Sequence, residues 1–329
     1  MKDLYNLGMA NVFSRIVSKP SYASSPTALI LARYATLAII YVILIFVLPG
    51  SQSIMREHRL TATEYHVLQF LVGLPLMAVW FMAFYGYAKL EEYTISIRKT
   101  PEAIGFSRLT QGCAWMAWSL PIHSIVSLVA RAITSTHPGF NSAEIIIINY
   151  VDLIFPLVGF TLIGMASRHL FDRARMTLSA ASIRGITILF VAGGVLYCYL
   201  IFRQFTGTGL AATDNPYHLP VWLTVLTIIV PYLYAWFAGM LAVYELVTYG
   251  RHVRGVLYRQ AMHILVTGLF AMILGSIAFQ YARSFQPAEE AHLVLGLYLI
   301  LSLAFQIVSG LGVLMIALGA ARLKKIEEV

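Results

Sequence analysis

Residues Leu74–Arg98 read LPLMAVWFMAFYGYAKLEEYTISIR, and residues Val230–Arg254 read VPYLYAWFAGMLAVYELVTYGRHVR. At one constant offset Pro75 meets Pro231, Trp80 meets Trp236 and Phe81 meets Phe237. The same offset joins Leu90 to Leu246, Tyr93 to Tyr249 and Arg98 to Arg254. Each stretch is an apolar run with an early proline, a Trp-Phe pair and a basic exit. A run of about 20 apolar residues is long enough to cross a hydrocarbon core of about 30 Å. Both stretches therefore read as membrane helices, one a duplicate of the other.

The composition around them agrees. Of 329 residues, 59% are hydrophobic and only 12% are charged. A soluble domain carries roughly 25% charge, so a soluble fold would have to expose apolar side chains over most of its surface. The apolar runs are continuous rather than alternating, which excludes a membrane barrel. The class is an all-α polytopic membrane protein. Eight spans are expected, at about 28–49, 64–88, 111–132, 145–167, 184–203, 220–248, 259–282 and 292–321.

The net charge is +8, which in a soluble protein would point to nucleic acid. Here the basic residues sit in the connections between spans, so no nucleic-acid partner is expected. One side gathers Lys2, Arg15, Lys19, Arg33, Lys89, Arg98, Lys99, Arg108, Arg168, Arg173, Arg175, Arg184, Arg251, Arg254, Arg259, Arg322, Lys324 and Lys325. The other side holds only Arg56, Arg59, Arg131, Arg203 and Arg283. Basic residues stay on the cytoplasmic side, and an even number of spans then puts both termini there. No cleavable signal peptide is evident. Residues 1–27 form a cytoplasmic segment. Tyr5, Met9, Val12, Phe13 and Ile16 share a helical face, so it reads either as an interfacial amphipathic helix or as an unstructured tail. Cys113 and Cys198 fall in different spans near opposite faces, and no disulfide is expected between them.

The duplication extends beyond the opening stretch. Arg33 and Arg184 each head a span, Tyr65-His66 and Tyr217-His218 each enter the next, Arg131 and Arg283 close the third, and Arg168 and Arg322 close the fourth. Residues 28–168 and 184–322 are thus two four-helix repeats, joined by a cytoplasmic linker at 169–183 and followed by a tail at 323–329. Four spans per copy is even, so the copies point the same way and are related by an axis along the membrane normal.

Small residues mark close helix packing in lipid. Gly268, Ala271, Gly275, Ala278 and Ala282 make such a stripe on the seventh span, and Ala114, Ala117, Pro121 and Ser124 make another on the third. Pro75, Pro121, Pro156 and Pro231 lie within spans and kink them.

The candidate site is an acid within the bilayer. Asp152 lies about seven residues into the fourth span, roughly 10 Å deep at about 1.5 Å per residue. His123 on the antiparallel third span lies at a similar depth. An ionisable residue within a span usually faces a partner or a cavity, and His123 is that partner. Asn149 shares the helix face of Asp152, and Gln306 is the nearest polar match in the second repeat. A proton or small-solute site of Asp152, His123, Asn149 and Gln306 at the interface of the repeats is the functional expectation. The same residues could instead be a polar clamp that fixes helix register.

Two other classes stand beside it. A structural or assembly subunit would bind other membrane proteins or itself through its lipid-facing helices. A haem b electron carrier would use His66, His123 and His263, with His66 and His123 both toward the outer side; no histidine pair recurs on one helix at the spacing of multi-haem cytochromes. Otherwise no cofactor or metal is expected. No phosphate-binding loop, Gly-x-Gly-x-x-Gly, His-Glu-x-x-His or Gly-x-Ser-x-Gly pattern occurs, so an enzyme is not the leading expectation. No Asn-x-Ser/Thr sequon occurs, in keeping with a prokaryotic cytoplasmic membrane.

Overall fold

A computed structural model describes residues 26–49, 55, 59–136, 141–174, 176–177, 180–206, 225–252, 255–284 and 291–327. The N-terminal segment, His218 and Arg254 lie outside the described residues. The described residues are helical, with no strand among them. Eight long helices run in order: α1 Pro26–Val47, α2 Ala62–Ser96, α3 Ala103–Thr136, α4 Asn141–Arg173, α5 Ala180–Thr206, α6 Val230–His252, α7 Val256–Ser284 and α8 Ala291–Glu327. In seven of them the described residues are long and apolar enough to cross a membrane; in α5 the apolar part is shorter, Ile183–Leu196. The chain is a multi-pass helical membrane protein.

Several helices outlast their apolar runs. The sequence suggests a long connection around Lys89–Thr110, yet α2 continues to Ser96 and α3 begins at Ala103. Aromatic packing carries the extra turns. Tyr93 and Phe106, both buried, meet edge to face at 4.9 Å, and the Thr94 and Thr110 hydroxyls lie 2.8 Å apart. At its other end α2 starts on a capping box. The Thr61 hydroxyl accepts from the Glu64 backbone N–H, and the Glu64 carboxylate accepts from the Thr61 N–H. Before α6 the backbone widens into a π-helical turn, Val225–Ile229. Pro231 follows directly. Its ring would press on the carbonyl four residues back, and a wider turn relieves that crowding. Between α6 and α7 the chain reverses at Gly255, whose φ of 107° suits glycine.

Helix packing follows a closed circuit: α2 on α3, α3 on α4, α4 on α6, α6 on α7, α7 on α8, and α8 back on α2. α1 lies outside it against α2 and α3, and α5 lies outside it against α6 and α7. One continuous apolar core runs from Phe84, Phe106 and Phe160 to Trp236, Met272 and Ile316. A smaller cluster of Tyr41, Ile45 and Trp80 seats α1 on α2, with the Tyr41 and Trp80 rings 5.0 Å apart.

Glycines set the closest approaches. A Cβ on Gly268 would lie 2.3 Å from the Gly312 carbonyl, and one on Gly312 would lie 2.5 Å from the Gly268 carbonyl. α7 and α8 therefore cross backbone on backbone. The small stripe of the seventh span marks this crossing through Gly268. On α3 a close approach is made at Gly112, against Gly159 and Ile163 of α4. Gly86 of α2 meets the backbone of Val313 in α8 in the same manner.

Candidate functional site

The sequence candidates divide by position. His123 is half-buried on α3 and Gln306 half-buried on α8. Asn149 and Asp152 lie on α4, and their side chains fall outside the described residues. The contacts between α3 and α4 step in opposite directions along the two helices, from Gly105–Leu170 through Gly112–Ile163 to Met116–Gly159. Continued further, this register brings the His123 backbone level with the Asn149–Asp152 stretch. Gln306 lies on α8, which packs mainly on α7 and α2, whereas α4 packs mainly on α3 and α6. His66 and His123 also stand apart. In the α2–α3 pair, Thr94 meets Thr110 and Phe84 meets Trp118, which leaves His66 opposite the far end of α3. Along the helices the two residues differ in level by about 20 Å, at about 1.5 Å per residue.

A different acid occupies the centre of a polar cluster. Glu245 of α6 is 1% exposed and faces Ser167 of α4, itself fully buried. The Ser167 hydroxyl lies 2.6 Å from Glu245 Oε2 and 2.9 Å from the Gly164 carbonyl. Arg168 Nη1 lies 3.4 Å from Glu245 Oε1. The same guanidinium pairs with Asp172 one turn on, Nε at 3.1 Å and Nη2 at 3.0 Å. Arg168 is 54% exposed, so its guanidinium links the buried carboxylate to the surface.

Beside this link lies an open cleft of about 550 Å³, lined by Glu102, Leu170, Asp172, Arg173, Ala174 and Tyr249. Arg173 Nε lies 3.8 Å from the Glu102 carboxylate across the cleft. The Tyr249 hydroxyl bonds to Tyr258 of α7. The first turn of α3 and the last turns of α4 and α6 converge here.

Chemically the cluster can hold or pass a charge. A serine hydroxyl has one hydrogen and can also accept. It can donate to an ionised Glu245, or turn to the Gly164 carbonyl and accept from a protonated one. Both protonation states of Glu245 therefore find a hydrogen bond without moving the backbone. An ionised carboxylate at this burial needs its partners, since stranding it costs several kcal/mol.

The sequence gives a signal for Glu245 that is easily passed over. It stands near the C-terminal end of the expected sixth span and reads as an edge residue. Its burial follows from the seating of α6 against Ser167 of α4.

The other end of the α4–α6 seam is also polar. The Tyr150 hydroxyl of α4 lies 3.0 Å from the Thr227 hydroxyl in the π-helical turn. Between the two ends the seam is small and apolar, with Gly164 against Ala238 and Gly239 against Phe160.

Compared with family models, curated proteins and solved structures, the chain matches none.

Proposed function

We propose that this protein binds, and moves across the membrane, a proton or small solute along the seam between two four-helix repeats, with Glu245 as the buried charge. The observation that carries this reading is the Glu245–Ser167–Arg168 cluster, a nearly inaccessible carboxylate connected to an open cleft by a shared guanidinium.

Duplication has support in the contacts. The offset that carries Pro75 to Pro231 also carries Gly105, Gly112 and Met116 of α3 onto Ala261, Gly268 and Met272 of α7. A slightly shorter offset carries Gly159, Ile163 and Ala166 of α4 onto Gly312, Ile316 and Gly319 of α8. Equivalent residues meet equivalent partners. Gly112 lies against Gly159 and Ile163, as Gly268 lies against Gly312 and Ile316; Gly105 lies against Ala166, as Gly319 lies against Ala261. The outer helices correspond too, α1 against α2 and α3 and α5 against α6 and α7. On this reading α4–α6 and α8–α2 are the two seams between repeats, and Glu245 sits in the first. Transporters built from such repeats hold substrate where the repeats meet.

Asp152, His123 and Asn149 form a second polar station at the other end of α4. Asp152 stands about 22 Å from Ser167 along α4, at about 1.5 Å per residue, near the Tyr150–Thr227 contact. Gln306 falls beside the α8 position equivalent to Asp152 and belongs to the opposite seam. Both termini then lie on the cytoplasmic side, as does the Glu245 cleft, in a cytoplasmic membrane.

The test uses proteoliposomes carrying a trapped pH-sensitive dye and an imposed pH step. Glu245→Gln and Asp152→Asn are each expected to abolish the protein-dependent proton flux while purified yield and unfolding midpoint hold. Flux unchanged in both variants would remove these acids from the mechanism.

An assembly role is favoured by one observation. α5 leaves Ile188 67% and Leu189 70% exposed, with Val195 and Leu196 also open, a face for lipid or another membrane helix.

A further inference from the structure

We propose that the Glu245 niche and its cleft bind a small organic cation, a guanidinium or primary ammonium with a short apolar part, and that Arg168 holds this place as a tethered competitor. The inference rests on the seam being the site of function and names its ligand class.

Count the charges that face the niche. α4 supplies Arg168, Asp172 and Arg173, the turn just before α3 supplies Glu102, and α6 supplies Glu245 itself. Acids outnumber bases by one. Arg168 spends its donors on the two carboxylates a ligand cation would want: Nε and Nη2 on Asp172, Nη1 on Glu245. Its geometry on Glu245 is the long edge contact of 3.4 Å, and its side chain is more than half exposed. An exposed pair one turn apart on a helix is weak, so Arg168 can swing into water and leave Asp172, on the cleft wall, and Glu245, buried behind it, without their cation. The incoming cation must then satisfy the buried one. Planar guanidinium or clustered ammonium donors match paired carboxylates. Leu170 and Tyr249 offer an apolar wall and an aromatic ring. A metal ion is the poorer fit, because among the described residues no group of three His, Cys, Asp or Glu stands ready to ligate one.

The equivalent position of α2 carries a cation of its own, on the side of α2 that meets α1. The offset from α2 to α6 places Lys89 at the position of Glu245. The Lys89 ammonium lies 3.0 Å from the Glu92 carboxylate, which also accepts from the Thr27 hydroxyl, and stands over the Tyr85 ring at 5.6 Å. A carboxylate, a hydroxyl and a tyrosine ring around an ammonium is the arrangement proposed here for the ligand of the Glu245 niche.

The probes are methylguanidinium and methylammonium chloride, with sodium chloride at equal ionic strength as reference. The reading is the unfolding midpoint of the detergent-purified full chain, followed by calorimetric titration. A saturable rise with methylguanidinium but not sodium is expected in the wild type. Arg168→Ala, which removes the competitor, is expected to bind it about tenfold tighter, and Glu245→Gln to bind it about tenfold weaker. Asp172→Asn changes an exposed side chain that folding tolerates, and it should weaken binding several-fold. Equal responses to sodium, no saturable response in wild type and Arg168→Ala, or a response unchanged in Glu245→Gln and Asp172→Asn would each overturn the assignment. Should the cation fail to bind while proton flux still requires Glu245, the seam would be a proton site alone: the cation assignment falls and the functional reading stands.

Discussion

Replacing Gly268 by alanine tests the packing on which every other inference depends. The added methyl would stand 2.3 Å from the Gly312 carbonyl oxygen, 2.7 Å from the Ile316 nitrogen and 2.8 Å from the Met315 Cβ. Non-bonded heavy atoms settle at about 3.5 Å or beyond, so α7 and α8 must part by roughly 1 Å. Two of the three obstacles are backbone and cannot turn aside. A radial gap of that size forfeits a quarter to a half of each dispersion contact along the crossing. Overpacking in well-packed interiors costs about 1–3 kcal/mol. With backbone on both sides the upper end is expected, about 3 kcal/mol, or roughly a hundredfold in the folding equilibrium. The assay is reversible unfolding in mixed detergent micelles, followed by tryptophan fluorescence. Gly185→Ala is the reference, because a Cβ there meets nothing within 4 Å, and alanine is the better helix former by about 1 kcal/mol. Gly164→Ala belongs near the reference, since its nearest neighbour would be 3.5 Å away. If Gly268→Ala unfolds at the same denaturant as Gly185→Ala, α7 and α8 do not cross at these glycines, and the register used above is wrong.

Two further outcomes follow from particular contacts. Trp80 is fully buried against Tyr41 of α1, so Trp80→Ala should cost about 3–5 kcal/mol; the same unfolding assay measures it, and limited proteolysis of α1 should quicken. Thr61→Ala removes the hydroxyl of the capping box at the start of α2 and should cost about 1 kcal/mol, read as a small shift in the unfolding midpoint.

The fold was legible in the sequence wherever one physical rule dominates. Length and apolarity alone mark the helices, seven of them long and apolar enough among the described residues to cross a membrane, because a membrane span must satisfy every backbone group internally. The ends were less legible. Tyr93 and Phe106 hold extra turns beyond the apolar runs by packing on each other, and nothing local to either residue announces its partner. Glycine placement was half legible: Gly268 stands in a recognisable stripe, but Gly112 and Gly159 meet through the register of two helices distant in sequence. The candidate site shows the same limit. Asp152 attracts notice because it lies deep in an apolar run. Glu245 lies near the end of one, and only the seating of α6 against Ser167 buries it.

The α2–α8 and α4–α6 contacts are built differently. Across α2–α8, Gly86 brings the helices so close that a Cβ would lie 2.4 Å from the Val313 carbonyl, and Gly310 seats against Val79 in the same seam. Sliding or parting there breaks backbone-level contact over the length of the crossing. Across α4–α6 the central contacts are ordinary, with Gly164 at 3.5 Å from Ala238, and hydrogen bonds replace tight packing at both ends. A hydroxyl pair or a serine–carboxylate pair can be exchanged for water or ligand, whereas a glycine crossing has no substitute partner. If the halves rock, the α2–α8 seam is the pivot and α4–α6 is the side that opens. Glu245, Arg168 and the cleft all lie along α4–α6, the contact that by this packing is the easier of the two to part.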